Sequence, residues 1–233
     1  MIASALRIEI DRYAMNARQV NPLYRAANAG SFTTANLRSY LVNIHRLVCH
    51  TPIHLVQARD RARDLGDERL AVHFENKRLE EQGHDAWAER DLARTSTTST
   101  FPPPQIVSSM NDLLEYLRNT IDRDPVLYLA YVLFAEYVTV LVGDEWLGLL
   151  ETNCGIPRSG VSVVGNHVEL DREHVEHALD EIDALVGDPR KLPELRAVLL
   201  DTFRLFDRFC ADVTRERISD TRLEYEERAT SAA

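Results

Sequence analysis

Val126 to Gly143 reads VLYLAYVLFAEYVTVLVG, eighteen residues that are apolar on every side of a helix except at Glu136. A helix of that composition must be surrounded, either by protein or by lipid. Lipid fits poorly, because the run is short, begins after Asp124-Pro125 and carries Glu136 and Thr139, and a lone carboxylate in a bilayer is costly. A buried core helix is therefore expected. There an isolated ionised carboxylate would be strongly unfavourable, so Glu136 has to be protonated, paired with a cation or bound to metal.

The rest of the chain is read as helical too. Only nine glycines and nine prolines occur, strict apolar/polar alternation is scarce, and 3.6-residue patterns recur. Helices are expected at about 4–19, 22–29, 34–65 (interrupted near Thr51-Pro52), 67–94, 105–120, 125–151, 167–186 and 192–217. The stretch Thr95 to Pro104, TSTTSTFPPP, is a loop by composition, and residues 218–233 are expected to be a frayed tail. The helices on either side of the loop carry apolar faces too large to bury separately, so residues 1–233 are read as one all-α domain beginning with an N-terminal helix within 1–20.

The 27 basic and 37 acidic residues leave a formal charge of −10, which argues against nucleic acid or an anionic membrane as partner. Three cysteines without CxxC spacing fit a reducing compartment. Arg7 and Glu9 interrupt any targeting segment, so a cytoplasmic protein is expected, with a homodimer as the base-rate assembly.

Ionisable groups at inward helix positions carry the functional information. Leu70, Phe74, Glu81, Ala88 and Leu92 share a line within about 20° at 100° per residue, with His84 three residues after Glu81 on the same side. Glu80 is rotated toward the flank and is the weaker alternative. His167, Asp171 and His174 share a second stripe continued by Leu170, Ala178 and Ile182, while His177 turns toward the surface. Glu81, His84, Glu136, His167, Asp171 and His174 thus form a set of three carboxylates and three imidazoles from three helices. That mixture suits iron, with manganese as the alternative, rather than calcium or structural zinc, and six ligands imply two metals.

Ferritin-like di-iron proteins use Glu, ExxH, Glu and ExxH in order. Here Glu81-Gln-Gly-His84 is one ExxH and Glu136 the lone Glu, but no glutamate lies between Glu9 and Glu68, and the last motif reads HxxxDxxH. This last helix, the run EEQGHDAW and the lone Glu between them resemble the heme-oxygenase-like di-iron oxidases, of the same superfamily as the PqqC, TenA and Chlamydia CADD proteins, over residues from about 35 to 215. The resemblance implies a seven-helix bundle with a non-heme di-iron centre, two Fe(II) per chain, that activates O2 to oxidise a small amino-acid-derived or fatty-acid-like substrate in natural-product biosynthesis. It implies Glu81 and His84 on one iron, Glu136 bridging or capping, and His167, Asp171 and His174 from the last ligand helix, with Glu80 or Glu81 as the partner of His84. The competing readings are a metal-independent PqqC/TenA-like enzyme on the same fold and a non-enzymatic helical iron-binding or interaction protein.

Other residues read more plainly. His50 and His54 flank Pro52 without a carboxylate and suit kink-stabilising or pocket-lining roles, and His45 suits a satisfied core position. His73 and Trp87 suit packing or a pocket wall, and Arg59, Arg61 and Arg63 an ion-paired face. Nucleotide-binding and serine-hydrolase motifs are absent.

Overall fold

The run containing Glu136 lies inside a helix from Tyr128 to Cys154, entered through a 3-10 turn at Pro125–Leu127 and ended by Gly155 at φ 66°. The computed structural model describes residues 1–96 and 105–215. In chain order its helices are α1 (Ile2–Val20), α2 (Pro22–Asn28), α3 (Thr34–Asp64), α4 (Glu68–Glu80), α5 (Asp85–Ser96), α6 (Ser108–Arg123), α7 (Tyr128–Cys154), α8 (Ser162–Val186) and α9 (Leu192–Arg215). No strand occurs among the described residues, so the chain is all-α. The described helices exceed the seven that the resemblance implies: α2 matches the separate helix expected at 22–29, and the stretch expected at 67–94 is two helices. Thr95 and Ser96 close α5; the rest of the hydroxyl and proline stretch, and the tail from 216, lie outside the described residues.

Local signals set several boundaries. The Asn21 side chain accepts from the Leu23 amide and Pro22 takes the first helical position of α2, while Thr33 and Asn36 form a capping box at the start of α3. Contrary to expectation, α3 continues through Pro52. The ring removes a donor at a local cost of about 3 kcal/mol. Buried residues on both sides, Leu41 and Ile44 before it and Leu55 and Ala58 after, hold the helix against that cost.

Packing makes α7 the axis. Its most extensive neighbour is α8, and α1, α2 and α9 cover other sides. By length and composition α7 and its entry turn could cross a membrane, yet 67% of its most apolar window is buried inside the protein, as a core helix requires. The approach of α8 depends on Gly143, where a Cβ would lie 2.6 Å from Val168 Cγ2 and 3.4 Å from Val164 Cγ1. Those valines flank His167, so the close contact also places a site residue.

His54 shows what the core does to a titratable group. It is buried and meets the Tyr128 ring edge-on, with centroids 6.1 Å apart. Burial first, then the charges of His50 and Arg118, push its pKa down to about 4. Its partner in the pair, His50, makes a solvent-exposed contact with the Arg46 carbonyl through Nδ1 at 2.8 Å, and the two ring centroids lie 6.0 Å apart. Because the unfolded chain binds the proton near the ordinary value of about 6.5, His54 contributes stability above that pH that is lost as pH falls toward 4. In denaturant titrations, the stability of wild type relative to His54→Leu is expected to fall by about 3 kcal/mol between pH 7 and pH 4, whereas parallel pH profiles would contradict a buried neutral His54.

Candidate metal centre

The Glu81-to-His84 motif sits on a turn, not on a helix. α4 ends at Glu80, Glu81 is its C-cap, and Gly83 adopts φ 90°, which a side-chain-bearing residue rarely tolerates. The expected continuous helix over 67–94 is therefore broken at the motif itself. The turn nevertheless brings the two groups together, with His84 Nδ1 3.1 Å from Glu81 Oε2. Burial pushes the Glu81 pKa up, but the His84 contact and the nearby His167 and Lys77 charges outweigh it and hold the carboxyl below its ordinary value.

α8 brings in the third member. Ligand atoms of Glu81, His84 and His167 all lie within 4.8 Å of one another. The His84 ring stacks on Trp87 at 4.2 Å, and the His167 ring stands perpendicular to it at 5.0 Å. Trp87 is thus a support for the imidazoles rather than a wall of the cavity described below. His167 Nδ1 is 2.6 Å from the Val163 carbonyl, which can only accept, so Nδ1 carries the proton and Nε2 is left as the electron-pair donor. This arrangement fixes the tautomer a ligating histidine needs.

Asp91 of α5 positions the start of α8. Its fully buried carboxylate accepts from the Ser162 hydroxyl at 2.7 Å and the Val163 amide at 2.8 Å. An amide in the first turn of a helix has no partner within its own helix, and here the Asp91 carboxylate of α5 supplies it.

The remaining three expected ligands, Glu136, Asp171 and His174, do not form a second such group among the described residues. Glu136 is buried, and its Oε1 accepts from Lys77 Nζ at 2.9 Å, so its partner is a lysine of α4. Lys77 also contacts Glu80 Oε2 at 3.0 Å. His174 lies with Nε2 3.8 Å from Glu80 Oε2 and Nδ1 3.5 Å from Asp171 Oδ1. Glu136 Oε2 and His174 Nδ1 are buried and have no hydrogen-bond partner. Burial pushes the Glu136 pKa up to about 7, with Lys77 pulling it down and Asp171 pushing it further up. The Asp171 contact raises the His174 pKa, and Glu136 and Glu80 add to it against burial and Lys77. For Lys77 itself burial disfavours the ammonium, but Glu136 and Glu80 together hold its pKa above the ordinary value.

Residues of both sets border one cavity of about 200 Å³, lined by Lys77, Glu81, Glu136, His167 and Asp171 and otherwise by uncharged, mostly apolar or aromatic side chains such as Tyr131, Val138 and Trp146. His84 and His174 stand behind this lining. His73 is drawn to Glu181 at 3.2 Å instead, and His177 is exposed. Leu170, expected inward, is exposed, because the buried face of α8 runs through Val168, Asp171, Val175, Ala178 and Ile182, with His167 and His174 half-buried at its edge and Leu170 beyond it. His45 is half-buried between Cys49 and Glu89, and Arg59 pairs with Asp60 and Glu75 as an ion-paired face. Lys77 and Asp91 are site residues that helical periodicity does not single out. The available signal for Lys77 is its place one helical turn before Glu81 on the same face; Asp91 has none.

A bundle with this helix order, its site held between the α4–α5 turn, α7 and α8, has a heme-oxygenase-like fold. A domain of unknown function from Shewanella denitrificans OS217, described as having that fold, aligns with TM-score 0.80 at 18% identity, covering 91% of this chain and 92% of the other. A TenA homolog from Pseudomonas syringae pv. tomato aligns at TM-score 0.64 and 16% identity over 91% and 94%. A CADD-like protein of unknown function from Nostoc punctiforme aligns at 0.66 and 14% over 91% and 98%. The sequence matches no family model and no curated protein.

Asp91→Ala is expected to lower stability by about 2 kcal/mol, since it strands the Val163 amide. It should also weaken divalent-metal uptake by displacing His167. Thermal melts with and without metal check both, and an unchanged melt would contradict the role of Asp91.

Proposed function

We propose that this chain is a non-heme di-iron oxidase or oxygenase that uses O2 to oxidise a small, largely apolar organic molecule, amino-acid-derived or fatty-acid-like, in a biosynthetic reaction. The observation that carries the reading is the close group of Glu81, His84 and His167, with Glu136 and Asp171 on the lining of the same cavity. The donor set fits: it mixes imidazole and carboxylate as iron or manganese sites do. Glu136 Oε2 is a buried polar atom without a hydrogen-bond partner, which ligation would satisfy.

Two reduced irons held there would supply two electrons to O2. The chain does the rest. Glu81, His84 and His167 would hold one ion, with the His167 lone pair aimed by the Val163 carbonyl. Glu136, Asp171 and His174 would hold the other, with Glu80 the additional carboxylate within reach. Apolar walls exclude water and limit the substrate. At about 200 Å³ the cavity is larger than the ~150 Å³ that admits benzene and smaller than the ~300–1,000 Å³ of sites for drug-sized ligands, so a short acyl chain or single ring is the class that fits.

Under anaerobic conditions the purified protein is expected to take up about two Fe(II) per chain at saturation, and Glu136→Gln, which keeps the shape and a contact to Lys77, should weaken uptake of one of them by at least tenfold. Oxygen consumption with Fe(II) should fall in parallel while the helical circular-dichroism signal is retained. Uptake near zero in the wild type, or undiminished oxygen consumption by the variant, would overturn the proposal.

A further inference from the structure

We propose that Lys77 is a built-in place-holder for the second metal ion, a side-chain cation that neutralises the Glu136 half of the centre in the metal-free protein and is displaced when that ion binds. This inference rests on the di-iron reading above and goes beyond it by assigning a role to a residue outside the ligand set.

Position is the first ground. The Lys77 ammonium lies 2.9 Å from Glu136 Oε1 and 3.0 Å from Glu80 Oε2, and its side chain and that of Glu136 are only 8% and 7% exposed. An ammonium at contact distance on a carboxylate oxygen and a divalent ion on that same carboxylate repel each other strongly in a buried site, so the ion has to drive the lysine away. Both ion pairs of Lys77 among the described residues are to Glu136 and Glu80, so the cation is seated on one half of the centre. The cation is thus in direct contact with the Glu136 side and not with Glu81, His84 or His167.

Necessity is the second ground. A carboxylate buried like Glu136 without a partner is strongly destabilising, so the protein needs a cation there before metal arrives. Composition is the third. Of 27 basic residues only Lys77 and Lys191 are lysines; the others are arginines. Arginine would grip Glu136 through a rigid planar fork, whereas an ammonium is a compact charge on a flexible stem that swings aside. Lys77 borders the cavity, which gives the displaced head a place to turn. An ordinary structural ion pair and a place-holder differ in one measurable respect, since only a place-holder holds down the affinity for the second ion.

Anaerobic Fe(II) titration calorimetry of wild type, Lys77→Met and Lys77→Arg tests this. Wild type is expected to bind in two steps separated by at least tenfold in affinity; Lys77→Met should strengthen the second step by at least tenfold with the first unchanged, and Lys77→Arg should leave the separation as wide or wider. A second step that is unchanged or weaker in Lys77→Met, with the first step intact, would overturn the place-holder alone. Absence of any uptake by the wild type would overturn the metal centre and this inference with it. A measurement on unmutated protein guards against a variant that misfolds. With only two lysines, selective labelling at lysine Cε gives two NMR signals. Under titration with diamagnetic Zn(II) the Lys77 signal should move with the second equivalent; a Lys77 signal unmoved through two bound equivalents would contradict displacement.

Discussion

A carboxylate in the middle of an otherwise apolar core helix is the constraint on which the rest of the structure depends. Glu136 cannot be ionised there unpaired, and the fold answers by bringing a lysine from α4 across to it and placing Asp171 and His174 of α8 beside it. Each of these contacts requires α4 and α8 to pack on the same side of α7. Gly143 permits the approach of α8, and Asp91 fixes the height at which α8 begins. The site is therefore a consequence of how one buried charge is accommodated, and the helix packing around it is set by the same demand.

The two sides of the cavity are built differently. Glu81 and His84 sit on a turn whose shape comes from Gly83, and His167 is oriented by the carbonyl one helical turn before it, so three side chains that could hold a metal meet there. On the other side the Lys77 ammonium pairs with Glu136 and Glu80, and Glu136 Oε2 is left without a hydrogen-bond partner. In the proposed di-iron reading this difference would set an order of filling.

Much of this is legible in the sequence, for identifiable reasons. The all-α class follows from 3.6-residue periodicity, and a lone Glu136 in an apolar run demands a partner on composition alone. The row His167, Asp171 and His174 is readable because α8 is an uninterrupted helix, for which 100° per residue holds. The same rule fails at Glu81 and His84, where a glycine in the left-handed region breaks the helix and the pair meets across a turn. It fails again at Leu170, whose exposure depends on the width of the contact with neighbouring helices. Pro52 reads as a break only when local propensity is weighed without the packing on both sides of it. Lys77 and Asp91 act through tertiary partners far along the chain, and single-sequence periodicity does not see those.

The central claim is that two ions share one cavity, each held by its own half of the ligand set. Anomalous diffraction at the iron edge from anaerobic, Fe(II)-loaded crystals tests it most directly. The account predicts two peaks per chain, one among Glu81, His84 and His167 and one among Glu136, Asp171 and His174, with the Lys77 ammonium no longer on Glu136. Iron bound only elsewhere on the protein, or Lys77 still seated on Glu136 beside a fully occupied pair, would contradict it.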